Sequence, residues 1–139
     1  ELAFRGVPLV VLSRAAGRWA GLIALGVLFG LAHLFNPGST PLGIANIMLA
    51  GVFLGLVFLS GGGLWSSTGA HLGWNLTLAS LGATVSGLPL PLPALSYVPG
   101  HPVWLTGGSF GPEGGVVATL CLLLGCVLVG RHLDREPLA

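Results

Sequence analysis

Long apolar runs, each closed by glycine, proline or asparagine, set the pattern of the chain. The first, Trp19 to Phe35 (WAGLIALGVLFGLAHLF), stops at Asn36-Pro37-Gly38, a strong turn signal. The second, Leu42 to Ser60, lies between Pro41 and Gly61-Gly62-Gly63. The third, Leu64 to about Ala83, is less apolar and carries Ser66, Ser67, Thr68, His71, Asn75 and Thr77; the fourth, Val116 to Gly130, ends at Arg131-His132. A membrane span needs roughly 20 such residues. Ahead of them, Glu1 to Ser13 reads as the C-terminal part of another helix, kinked at Pro8 in a way that packed neighbours can accommodate. The pattern predicts an all-α fold: a polytopic transmembrane helix bundle of four full spans plus an N-terminal partial helix, one domain over residues 1–139.

Glycine sharpens this picture. Gly26-x-x-x-Gly30 and Gly51-x-x-x-Gly55 have the small-xxx-small spacing that lets helix backbones approach closely. The segment 84–112 differs in kind. Pro89, Pro91, Pro93, Pro99, Pro102 and Pro112, with Gly87, Gly100, Gly107, Gly108 and Gly111, exclude a helix through it. Tyr97, Trp104 and Phe110 mark it as an ordered interfacial loop outside the membrane.

Composition agrees with the pattern. Hydrophobic residues make up 53% of the chain, charged residues 6%, and the mean hydropathy is +0.93. Soluble domains carry about 25% charged residues, so there is too little polar surface here to coat a body in water. The basic residues are Arg5, Arg14, Arg18, Arg131 and Arg135, and between Arg18 and Arg131 the only formal charge is Glu113. A net charge of +1 with no basic cluster excludes a nucleic-acid partner. Four crossings after Arg18 return the chain to the same side at Arg131 and Arg135. The positive-inside rule puts that side in the cytoplasm and the proline-rich loop opposite. Cys121 and Cys126 share one apolar run without metal-type spacing and read as soft fillers. The start has no signal-peptide pattern and no Met, which marks the chain as a fragment.

Polar groups inside spans are costly and are functional candidates by default. Glu1 and Arg5 are four apart and can pair on one helix face; so can His71 and Asn75; His33 falls in the last turn of its span. Convergence of these three clusters in the bundle satisfies them most economically. Each has a plainer reading: Glu1–Arg5 as a structural ion pair, His33 as a helix-end dipole partner, His71 and Asn75 as interhelical glue. His101 and His132 read as loop and tail residues, and Glu113 as a cap at the start of the last helix.

Together the clusters form an ordered set. Glu1-Leu2-Ala3-Phe4-Arg5 resembles the end of the EExxxR motif of the CPBP family, the CAAX-protease and bacteriocin-processing membrane peptidases. Phe29 to His33 is similar to that family's FxxxH motif and His71 to Asn75 to its HxxxN motif, while the stretch from Gly107 to Gly115 looks like that of bacterial members. The resemblance implies an integral protein of the bacterial plasma membrane that hydrolyses peptide bonds of membrane-associated or prenylated proteins. Its partners would be a peptide or protein substrate and the lipid bilayer. It implies Glu1, Arg5, His33, His71 and Asn75 as the catalytic set: His33 on the water or a metal, His71 and Asn75 as oxyanion donors, Glu1 paired with Arg5. Arg5 sets the register, so the motif's first glutamate, the water-activating one, would precede residue 1. The cofactor is either none or zinc held by His33 and His71. A non-catalytic immunity or scaffolding protein of the same fold is the alternative, and a small transporter a third class.

Overall fold

A computed structural model describes residues 1–90 and 95–133. Pro91 and Pro93 of the loop, and Asp134, Arg135 and Glu136 of the tail, lie outside the described residues. The described chain is helical, with a single isolated bridge between Val85 and Leu88 in place of strands. The N-terminal segment forms two helices, α1 (Leu2–Arg5) and α2 (Val7–Ala16). The break falls at Gly6, and Pro8 takes a place in the first turn of α2, where its missing N–H costs nothing. Gly17, at φ 90°, turns the chain into α3 (Arg18–Leu31). Next come α4 (Pro41–Val57), a π-type turn over Phe58–Gly62, and α5 (Gly63–Ser80). Thr40 caps α4 by accepting from Gly43 N–H at 3.0 Å.

The all-helical bundle is as expected, while four full spans are not confirmed. Among the described residues two stretches are long and apolar enough to cross a membrane: the α4–α5 run Pro41–Ser80 and the last helix, α7 (Val116–Leu133). Helix α3 has 14 residues, or about 21 Å at 1.5 Å per residue, against a hydrocarbon core of about 30 Å. It ends before the Asn36-Pro37-Gly38 stop because the backbone tightens first, with His33 N–H reaching Gly30 and Leu34 N–H reaching Leu31. His33 therefore sits just beyond α3, not in its last turn. Within Pro41–Ser80 the helical backbone is lost at Ser60 and Gly61. Gly61 and Gly63 both have positive φ, which glycine adopts freely.

The glycine motifs meet across α3 and α4. A Cβ on Gly51 would lie 2.8 Å from Gly26 Cα, and one on Gly30 would lie 3.1 Å from Met48 N. Side chains thus give way to backbone contact, as that spacing predicts. Leu9, Leu22, Leu56 and Leu133 close one core cluster, and Phe29, Ile47 and Phe110 another, with Phe4 packed against it. Arg18 Nη1 reaches Leu133 O at 3.4 Å, so the start of α3 and the end of α7 lie together.

The described part of the loop packs around Phe110, which is fully buried. It holds one helical turn, α6 (Val103–Thr106), which its prolines did not suggest, and 3₁₀ turns at Gly108–Phe110 and Pro112–Gly114. Pro102 immediately precedes α6, where its fixed φ favours a helix start. Tyr97 Oη donates to Thr106 O at 3.2 Å, while Trp104 is exposed.

Candidate active site

Glu1 is the hub of a polar network inside the bundle. Four residues on, Arg5 is 2% exposed and donates from Nη1 to Glu1 Oε1 at 2.7 Å. Its Nη2 reaches Gly51 O at 3.3 Å. The guanidinium also lies 4.2 Å from the centroid of the Phe29 ring, a cation–π contact. Helix α5 supplies two further donors from one face. Ser67 Oγ donates to Glu1 Oε2 at 2.5 Å, and His71 Nδ1 donates to Glu1 Oε1 at 2.7 Å. Residues four apart on a helix stack above one another, so α5 presents a two-pronged grip to one carboxylate. Both Glu1 oxygens are engaged.

The tautomers follow from the acceptors. A carboxylate only accepts, so His71 Nδ1 carries a proton and Nε2 is the nitrogen not engaged by Glu1. His33 Nδ1 lies 2.7 Å from Phe29 O, a carbonyl, so it too is protonated at Nδ1. Phe29 bridges the two imidazoles: its ring centroid is 4.8 Å from that of His33 and 5.7 Å from that of His71. Phe4 packs edge-on against the same ring at 5.4 Å. The F and H of the FxxxH pair are thus joined by a hydrogen bond and a ring contact, a consequence of their spacing of four.

Both histidines line a cavity of about 230 Å³ between α4, α5 and α7. Its apolar wall comes from Ile47, Ala50, Phe53 and Leu54 of α4 and from Cys121 and Leu122 of α7. Asn46, Ser86 and Glu113 form its polar end. Of the five residues singled out in the sequence, the structure joins Glu1, Arg5 and His71 directly and brings His33 to the same cavity. Asn75 is half-buried one turn beyond His71 and does not line the cavity.

Two residues were underread in sequence. Ser67, fully buried, shares the carboxylate with His71, and the signal was its position four residues before that histidine. Glu113 does not cap the last helix. Its carboxylate accepts from Trp74 Nε1 at 2.9 Å and from the Ser86 N–H and hydroxyl. Catalytic zinc takes three protein ligands and an open position. Among the described residues no three His, Cys, Asp or Glu side chains are grouped to hold a metal. His33 and His71 alone do not make such a site.

The family model described as Type II CAAX prenyl endopeptidase Rce1-like matches residues 1–77. The match runs from Glu1 through α5 past Asn75, more than half of the chain, and the chain belongs to this membrane-integral protease family. No curated protein and no solved structure matched.

Proposed function

We propose that this chain carries cleavage-site residues of an intramembrane endopeptidase, which hydrolyses a peptide bond of a membrane-associated, CAAX-type protein with an activated water. The observation that carries the reading is the shared cavity of His33 and His71, each imidazole held by its Nδ1–H so that Nε2 remains for the reaction. His33, oriented by Phe29 O, is the imidazole that takes or positions the water proton. Glu1 is not the base in this scheme, because both its oxygens are engaged by Arg5, His71 and Ser67. Its part is to orient His71, as a carboxylate orients imidazole in hydrolytic triads. The family's motif assigns the water-activating role to the glutamate before the one that Glu1 matches.

His71 carries its Nδ1 proton to Glu1, so it donates from Nε2 to a developing oxyanion only with both nitrogens protonated. Asn75, one turn on, is the second candidate oxyanion donor on α5. No step passes through a metal. His33 and His71 are the two ligands zinc would find, and a chelator that left cleavage intact would support the metal-free scheme. The non-catalytic alternative is not favoured by membership in a protease family.

The test is cleavage of a membrane-tethered CAAX peptide by a chain in which a glutamate precedes Glu1. His33→Ala and His71→Ala should each lower kcat by about 10²- to 10⁴-fold, the usual contribution of a positioned acid–base group. Cleavage by both variants at the parental rate would overturn the reading, as would an inactive parent.

A further inference from the structure

Glu113 is the single formal charge between Arg18 and Arg131, and its side chain is 7% exposed. A carboxylate so buried is ordinarily paired with a cation. Among the described residues the salt bridges involve Glu1 only, and Glu113 is held by neutral donors. Trp74 of α5 donates from Nε1 to Oε1 at 2.9 Å. Ser86, in the turn after α5, donates to Oε2 from its backbone N–H and from its hydroxyl, the latter at 3.0 Å. The Glu113 carbonyl accepts from Asn46 Nδ2 of α4 at 2.7 Å. Asn46, Trp74, Ser86 and Glu113 all line the cavity that holds His33 and His71. A carboxylate serving only the dipole of α7 would bond that helix's own N–H groups, and these bonds go elsewhere.

The turn adds an independent sign. Val85 and Leu88 exchange two backbone hydrogen bonds at 2.9 Å, with Ser86 at φ 48° and Gly87 at φ 82° between them. Two central residues with positive φ define the type I′ turn, where asparagine, aspartate or glycine is favoured and serine is not. Here the disfavoured residue is the one whose N–H and O–H both point to Glu113. The turn is held by the carboxylate as well as by its own ladder.

We propose that Glu113 is a positioning residue of the cleavage site. Through Trp74 it holds the His71 face of α5, one turn away, and through Ser86 it holds the turn that closes the polar end of the cavity. The catalytic part of this statement rests on the protease reading; the clamp itself does not.

The experiment uses the chain of the cleavage assay with Trp74→Phe, which keeps the ring and removes the donor, Glu113→Ala, their double variant, and Glu113→Gln, which keeps an acceptor for Trp74. Two quantities are read: kcat and KM on the tethered peptide, and the rate at which a water-soluble maleimide modifies Cys121 in a Cys126→Ala background. Trp74→Phe and Glu113→Ala should each lower kcat by about tenfold with KM nearly unchanged, because small displacements of positioned groups act on rate. The double variant should be no worse than the worse single one, as for partners in one interaction. Glu113→Gln should retain more of kcat than Glu113→Ala, and Cys121 modification should change by about threefold or more as the wall loosens. Unchanged kcat in both single variants, or losses that multiply, would overturn the proposal. An inactive parent would defeat the protease reading instead. The Cys121 rates then decide alone, and equal rates in parent, Trp74→Phe and Glu113→Ala would refute the clamp.

Discussion

Three donors converge on the two oxygens of Glu1, and their worth depends on burial. Arg5 is almost wholly enclosed, so its removal leaves a carboxylate with neutral partners only and strips Gly51 O of its donor. Losing one member of a buried ion pair costs about 3–5 kcal/mol, and Arg5→Leu should destabilise the protein on that scale in detergent unfolding. A loss under about 1 kcal/mol would mean that the pair behaves as a solvated surface bridge. Ser67→Ala removes a hydrogen bond to a charged group, about 1.5–3 kcal/mol, and should also lower kcat because it loosens the carboxylate that orients His71. Equal kcat would confine Ser67 to structure. Spacing explains what was legible at this scale. Glu1 with Arg5, and Phe29 with His33, are four apart, and a helix turns that interval into contact. Ser67 obeys the same rule against His71, but a serine in a helix signals little cost and so draws no notice. The Glu113 partners, 39 and 27 residues away, obey no local rule, and a lone acid before a helix reads as a cap until the tertiary fold says otherwise.

Helices were legible as apolar runs, but their ends were not. Hydropathy continues smoothly through His33 and Phe35, whereas the backbone has already tightened at Ala32. The loop prolines hid α6 in the same way, since proline forbids a helix interior but suits a helix start. The glycine motifs could be read because they combine a spacing with a steric requirement. Gly26 and Gly51 sit where α3 and α4 touch, and any Cβ at Gly51 meets the Gly26 backbone, which has no flexible end to swing away. Gly51→Val should therefore part the two helices and destabilise by about 1–3 kcal/mol, the usual cost of overpacking. It should also weaken the Arg5 contact with Gly51 O and lower cleavage with it. Gly69 has nothing within 4 Å of a built Cβ, and Gly69→Ala should leave stability unchanged or raise it, since alanine is the better helix former. A thermal melt of the two variants separates these outcomes, and similar destabilisation by both would deny the close approach.

At the scale of the molecule, the question is what solvent the outer faces meet. Helix α7 is strongly apolar, yet only 17% of its most apolar window is buried inside the protein; for the Pro41–Ser80 run the share is 44%. The core helix of a soluble protein is apolar because it is covered, and α7 is apolar while uncovered. Leu120, Leu124 and Leu128 are each about 60% exposed, one turn apart along the same side. In water such a ridge would be an aggregation surface; in a bilayer it is the ordinary lipid face. The end of α7 supports a spanning orientation, since its last described residue, Leu133, meets Arg18 at the start of α3 and places Arg18 and Arg131 at one end of the bundle. The two solvents make opposite predictions for Leu124→Arg. On a water-facing surface the change falls within about 0.5 kcal/mol and improves solubility. At the centre of a membrane helix it costs about 2.5–3.5 kcal/mol on the insertion scale. The expected result is loss of the variant from the membrane fraction and lower yield, with a Leu124→Ile control unaffected. An arginine variant that became soluble and kept its fold would remove the membrane from this picture.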